Sequence, residues 1–287
     1  MRSLTKDQFA RYRKDGYVSP VEALSDGEAD HFRGRFMATR QALGAGATTA
    51  DIRHPQLFFR WAYEIATSPK ILDAVASVVG DDILLTRGAV FFKEPGDRVA
   101  HPLHQDAYCL GFDRDHADLF VTAWIALTPS TKANGCVRFY PGTQYRRFSY
   151  SAPDSPSRVR NAFITDRLDP KDEVAVEIPT GAMSLHHANV VHHSGTNETD
   201  ETRIGVVMRY AATCVRQRAP IKQAALLVRG SDRHGLYPLA TPPVEDIEGG
   251  LARMRRFVDL HRSRAVAAAL MPRDLSSSTP PVPGHAI

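Results

Sequence analysis

Arg203-Ile204-Gly205-Val206-Val207-Met208-Arg209-Tyr210 opens the run RIGVVMRYAATCV and alternates strictly. Ile204, Val206, Met208 and Tyr210 form one apolar parity, while the other parity carries both arginines. Side chains of an extended strand point to opposite faces with period two, so this segment reads as a strand lying between two different environments. The same texture of short β-branched and aromatic runs, broken by Gly, Pro, Asn and Asp, begins at Ile83 in ILLTRGAVFFKEPG. It returns in DLFVTAWIALTPS, CVRFYPGTQ and EVAVEIPTGAMSLHH. That rhythm predicts an antiparallel sandwich or barrel over about residues 83–230.

On the N-terminal side, residues 1–80 read as helical. Thr5 with Gln8 forms a capping box, Leu4 and Phe9 fit the accompanying hydrophobic staple, and Gly16 stands where that helix should stop. Ser25 with Glu28 repeats the box, and Ser68-Pro69 opens a helix that ends at Gly80. These helices are expected to pack on one face of the sheet. On the C-terminal side, the amphipathic stretch IEGGLARMRRFVDLHRSRAVAAALM predicts a helix over about residues 245–270, and residues 276–287 read as a disordered tail. The polar pieces SYSAPDSPSRVRNAFITDRLDP and IKQAALLVRGSDRHGLYPLATPP read as long loops, which in a compact domain often bind or cover ligands. Residues 1–275 are therefore expected to form a single domain.

Composition narrows the function classes. An apolar fraction of 43% and a charged fraction of 24% are those of a globular chain. No run reaches the ~18 apolar residues of a spanning helix, and MRSLTKDQFARYRKDG is too charged for a secretory leader, so a cytoplasmic protein without a membrane partner is expected. Cys109, Cys136 and Cys214 lie far apart and offer neither a CxxC pair nor a disulfide framework. A net charge of +4 with scattered Lys and Arg implies no nucleic-acid surface, which leaves a small molecule as the partner and the oligomeric state open.

The chemistry gathers in HPLHQDAYC, where His104 and Asp106 are separated by one residue, and in NVVHHSGTNETDETR, which supplies His192 or its neighbour His193. If the first segment is extended, His104 and Asp106 share a side and can meet one metal. A remote histidine would then close one face of an octahedron, as expected for a non-heme Fe(II) oxygenase. Singly, each of these residues is equally well an exposed loop histidine or a cap carboxylate; their combination, with Arg203 eleven residues beyond His192, carries the reading.

FFKEPGDRVAHPLHQDA, WIALTPSTKANGCVRFYPGTQ and HHSGTNETDETR together resemble the phytanoyl-CoA dioxygenase family. The resemblance spans roughly residues 83–210 and the N-terminal helix. It implies a double-stranded β-helix (a jelly roll, cupin-like, α+β with a β-rich core) that uses Fe(II), 2-oxoglutarate and O2. The family's distal pattern falls on His192, Ser194, Gly195, Asn197 and Arg203, which favours His192 over His193. By the same resemblance His104, Asp106 and His192 hold the iron, Arg203 pairs with the far carboxylate of 2-oxoglutarate, and Ser194 and Trp124 line its pocket. A dicarboxylate in a narrow barrel needs a fixed, permanently charged bidentate partner, which Arg supplies better than Lys. Asp106 occupies the position that related halogenases leave to halide, so hydroxylation, desaturation or ring chemistry is expected.

Departures matter as well. Pro141-Gly142-Thr143-Gln144 stands where the family often has Pro-Gly-Ser-His, and reads as a turn; the terminal His-Ala-Ile is not a peroxisomal address. His186 and His187 have the wrong spacing to Arg203, and neither His101 nor His116 is placed as a ligand. Candidate substrate residues are Arg209, Tyr108, Phe91 and Lys93. Each has a plain alternative: a buried ion pair for Arg209, core packing for Tyr108 and Phe91, a solvated strand end for Lys93. The expected activity is hydroxylation of a small molecule such as an amino-acid derivative, carboxylic acid or secondary metabolite. A cupin-type metal enzyme without 2-oxoglutarate and a non-catalytic metabolite-binding protein are the rival readings.

Overall fold

The computed structural model describes residues 3–44, 46–110, 114–151, 163–217, 223–244 and 247–270. Among the described residues, ten strands form two sheets. In chain order they are β1 (Tyr17–Glu22), β2 (Ile83–Lys93), β3 (His101–His104), β4 (Phe120–Ala126), β5 (Val137–Tyr140), β6 (Val174–Ala175), β7 (Ala182–His187), β8 (Val191–Ser194), β9 (Arg203–Ala212) and β10 (Leu226–Arg229). Six strands lie in the order β1-β7-β4-β9-β2-β10 and four in the order β3-β8-β5-β6, with antiparallel pairing throughout. This is a double-stranded β-helix. The helices are α1 (Lys6–Asp15), α2 (Asp26–Leu43), α3 (Arg60–Ala66), α4 (Pro69–Val79), α5 (Asp106–Leu110) and α6 (Ile247–Leu270). None is long and apolar enough to cross a membrane among the described residues.

The alternation along β9 sorts the two sides of the large sheet. Ile204, Val206, Met208 and Tyr210 join Val121, Ala123 and Ile125 of β4 and Met183 and Leu185 of β7 in the main core, together with Phe36, Trp61, Ile65, Ile71 and Val75 from the helices. The opposite parity, with Trp124 and Val207, faces the smaller sheet and packs with Val137 and Phe139. Every residue of β9 is buried because helices cover one face and strands the other.

Both capping boxes form. The Thr5 hydroxyl accepts from Gln8 N–H at 3.1 Å while the Gln8 side-chain Oε1 accepts from Thr5 N–H at 2.9 Å, and Ser25 and Glu28 do the same. Gly16 ends α1 in the left-handed region, at φ 82°. A Cβ there would also lie 2.6 Å from Gln144 Oε1, so the position needs glycine twice over. Gln144 belongs to the predicted turn, and does more: its amide donates to Arg13 O and Lys14 O, fastening the end of α1 to the small sheet.

Two strands depart from expectation. The N-terminal part is not purely helical, because Tyr17–Glu22 adds β1 to the edge of the large sheet; its internal Pro20 reads as a strand breaker, but an edge position tolerates a missing N–H. The stretch expected as a second long loop contains β10, whose Leu226 and Leu227 pair with β2 at the other edge. The predicted disordered tail and residues 152–162 of the first loop lie outside the described residues.

Candidate metal centre

The site forms where the inner faces of the two sheets meet. His104 ends β3 directly opposite His192 of β8, and Phe139 of β5 opposes His192 from the other side. The two imidazoles lie with centroids 4.1 Å apart. The segment is not extended through Asp106, as the one-residue spacing had assumed: the strand stops at His104, and Asp106 is the first residue of α5. The side chains nevertheless converge, with His104 Nε2 3.9 Å from Asp106 Oδ1. Ligand atoms of His104, Asp106 and His192 all lie within 4.8 Å of one another, and all three residues are buried.

Backbone carbonyls fix both histidines. Nδ1 of His104 donates to Pro102 O at 2.9 Å and Nδ1 of His192 to Val190 O at 3.0 Å. A carbonyl can only accept, so in each ring the lone pair is left on Nε2, the arrangement that orients metal-binding histidines. Burial, and then a nearby imidazole (His192 for His104, His186 for His192), lowers each to about 3, so both rings are neutral.

Asp106 is held by a row of residues across the large sheet. Arg87 of β2 opposes Arg209 of β9, Arg209 opposes Thr122 of β4, and Thr122 opposes His186 of β7, so all four share the inner face. The Thr122 hydroxyl donates to Asp106 Oδ2 at 2.7 Å; Arg209 donates through Nη2 to Oδ1 at 3.0 Å and through Nε to Oδ2 at 3.3 Å. His186 Nε2 stands 3.5 Å from Oδ2. Burial alone would raise this carboxyl, but the Arg209 guanidinium, with the His186 and His192 rings, keeps it well below the ordinary range. Arg209 therefore does face the cavity, and there it meets Asp106.

A second charged end lies six residues along β9. Arg203 is buried, its Nε and Nη1 find no acceptor among the described residues, and its guanidinium carbon sits 5.2 Å from the Trp124 ring. Burial lowers it to about 10, which leaves it cationic at neutral pH. Trp124 lies over Gly205, where a Cβ would be 2.1 Å from the indole, so only glycine admits the ring. Lys93 opposes Arg203 in register and donates from Nζ to Val99 O at 2.6 Å; burial, and then Arg203, lowers it to about 8. Ser194 shares the inner parity of His192 and is buried.

The other motif residues have visible work. Asn197 donates to the carbonyls of Lys93, Glu94 and Glu201, tying the β8–β9 turn to the end of β2 and so setting Lys93 against Arg203. His193 turns to the outer face, where its Nε2 donates to Glu173 Oε2 at 2.7 Å. Phe91 meets His101 edge-on at 5.5 Å, whereas Tyr108 is exposed and stacks on Tyr150, whose hydroxyl donates to Gln105 between the two ligands of this segment. Thr122 and Arg87 went unread in the sequence, and His186, whose spacing to Arg203 speaks against a ligand, stands instead beside Asp106. Only Thr122 left a signal, since it shares a parity with Trp124 two residues on.

Residues 12–205 match the sequence model of the family Phytanoyl-CoA dioxygenase (PhyH). The human peroxisomal phytanoyl-CoA dioxygenase is 25% identical over 238 residues, covering 73% of this chain and 69% of that protein. The methylphosphonate hydroxylase of Gimesia maris is 25% identical over 224 residues, covering 73% and 82%. Among solved structures, the non-heme monooxygenase ThoJ in its apo form superposes with a TM-score of 0.77 at 29% identity, covering 91% of this chain and 98% of that one.

Proposed function

The chain belongs to the phytanoyl-CoA dioxygenase family and is an Fe(II)- and 2-oxoglutarate-dependent oxygenase, and we propose that His104, Asp106 and His192 hold its iron while Arg203 binds the far carboxylate of the cosubstrate. The donor set fits the ion: two neutral imidazoles presenting Nε2 and one carboxylate, close together and buried, would hold Fe(II) and leave positions open for the co-reactants. With 2-oxoglutarate and O2 bound, such an iron supplies the oxidising power that converts an unactivated C–H bond to C–OH, releasing succinate and CO2.

The chain's own residues prepare this chemistry. Thr122 and Arg209 aim the carboxylate, Pro102 O and Val190 O aim the imidazoles, and Trp124 walls the cosubstrate end against water. Lys93 adds a second cation beside Arg203, and Ser194 a hydroxyl on the same face. One observation carries the reading: the buried Arg203 guanidinium, whose Nε and Nη1 have no acceptor among the described residues, on the same inner face as the three ligands. A cupin using no dicarboxylate has no need of it. The substrate is a free small molecule, a carboxylic acid, amino-acid derivative or secondary metabolite, and hydroxylation is its fate. Residues 1–275 act as one domain, and three free cysteines suit a reducing compartment, the cytoplasm.

Anaerobic addition of Fe(II) and then 2-oxoglutarate should produce a weak visible charge-transfer band, and a metabolite panel under O2 should raise succinate formation above the substrate-free rate. A folded protein that binds Fe(II) yet gives no band with 2-oxoglutarate would remove the cosubstrate assignment. Thr122→Val preserves shape but deletes the donor to Asp106. It should weaken Fe(II) binding by about 10–100-fold, as loss of an outer-shell partner does, with little change in Tm; unchanged metal affinity by titration would show that Thr122 does not position the ligand.

A further inference from the structure

Of the four residues in the row beneath Asp106, three converge on that carboxylate and one does not. Arg87 opposes Arg209 in register and shares its face, but its guanidinium has no hydrogen bond or ion pair among the described residues, and its Nε is buried without an acceptor. Like charges directly opposite on neighbouring strands repel, and one carboxylate, already engaged by Arg209, does not balance two guanidiniums. Tyr237, packed into the core near Arg87, likewise has a buried hydroxyl without a partner. The buried Arg87 Nε and Tyr237 hydroxyl, both without a partner among the described residues, are costly to leave so unless something else accepts from them.

The position explains what that acceptor is. Arg87 and Lys93 lie six residues apart on β2, as Arg209 and Arg203 do on β9, which is about 20 Å along a strand. The barrel thus has a positive group at each end of its inner face. The far end, Arg203 with Lys93, is already assigned to the cosubstrate. Resting on that assignment and on the iron site, we propose that Arg87, assisted by the Tyr237 hydroxyl, anchors an oxyanion of the substrate, a carboxylate or a phosphonate. The oxidised carbon then belongs to the part of the molecule that reaches from this anchor toward His104 and His192. An anion at Arg87 restores local charge balance, and a guanidinium fork matches either headgroup.

The test uses the full chain loaded anaerobically with Fe(II) and 2-oxoglutarate, whose visible band reports the cosubstrate. Linear carboxylates and alkylphosphonates of three to eight carbons are titrated beside the matching amides and alcohols. Anions should shift the band without abolishing it and bind at least about tenfold tighter than their neutral counterparts. Carboxylates outranking phosphonates, or the reverse, identifies the headgroup. Arg87→Gln should erase the preference for anions and Arg87→Lys should restore part of it, with the cosubstrate band and Tm of each variant reporting an intact fold. Equal affinity for anions and neutral analogues overturns the proposal, as does an undiminished preference in Arg87→Gln. Loss of the band on adding anion also overturns it, since the anion would then be competing at Arg203. Absence of the band before any addition instead strikes the cosubstrate reading.

Discussion

Asp106→Ala should abolish substrate-dependent succinate formation and also lower stability, and the second effect distinguishes this residue from a simple ligand. Losing one of three protein donors should weaken Fe(II) retention by at least about 100-fold, the upper end of what removal of an outer-shell partner costs. The same change strips Arg209 of both its charge-assisted hydrogen bonds and Thr122 of its acceptor, all in a buried setting. Breaking a buried ion pair by removing one partner costs about 3–5 kcal/mol, which for a chain of this size is a fall in Tm of roughly 10 °C. Asp106→Asn separates shape from charge: the amide fills the space and keeps one acceptor but leaves the Arg209 guanidinium without its counter-ion, so only part of the Tm should return and iron binding should not. Calorimetry and metal titration on both variants decide the matter. Full coupled turnover in Asp106→Ala would end the ligand assignment.

Arg203→Met should move the two quantities in opposite directions. The KM for 2-oxoglutarate should rise by about 100-fold or more, because two charge-assisted hydrogen bonds of about 1.5–3 kcal/mol each disappear. Without cosubstrate, however, the variant should be as stable as the parent or more so, by about 1–4 kcal/mol, since it replaces a buried charge whose Nε and Nη1 have no acceptor among the described residues with an apolar chain of similar volume. A site that trades stability for binding behaves this way. The readouts are steady-state kinetics against 2-oxoglutarate and Tm of the protein alone. A fall in Tm with unchanged KM would make Arg203 a structural residue.

Much of this architecture is legible in the alternation of β9. Its apolar parity names the helix-facing core, and its other parity names Arg203 and Arg209 as residues of the inner face. The motif spacing likewise brings together His104, Asp106 and His192, though the local reason differs: convergence comes from a turn out of β3 into α5, not from period-two alternation. What escaped the sequence is pairing. His186 fails a linear test of spacing to Arg203, yet reaches Asp106 because β7 lies beside β4 in register. Arg87 gains its meaning only from standing opposite Arg209, and which residues face each other across strands is set by long-range register. β1 and β10 escaped because edge strands tolerate proline and polar flanks that a central strand does not.

The facing of His104 and His192 across β3 and β8 has a consequence for the order of events in assembly. Their separation is dictated by the ladder between two strands, and each ring is turned by a carbonyl two residues upstream in its own chain. The histidine pair is therefore placed when the small sheet closes, and Asp106 when it meets Thr122 and Arg209 of the large sheet. A zinc finger, by contrast, acquires its shape from the ion it captures. Here the ligands are oriented by the chain's own hydrogen bonds, so loading should add the mass-action increment of any ligand that prefers the native state.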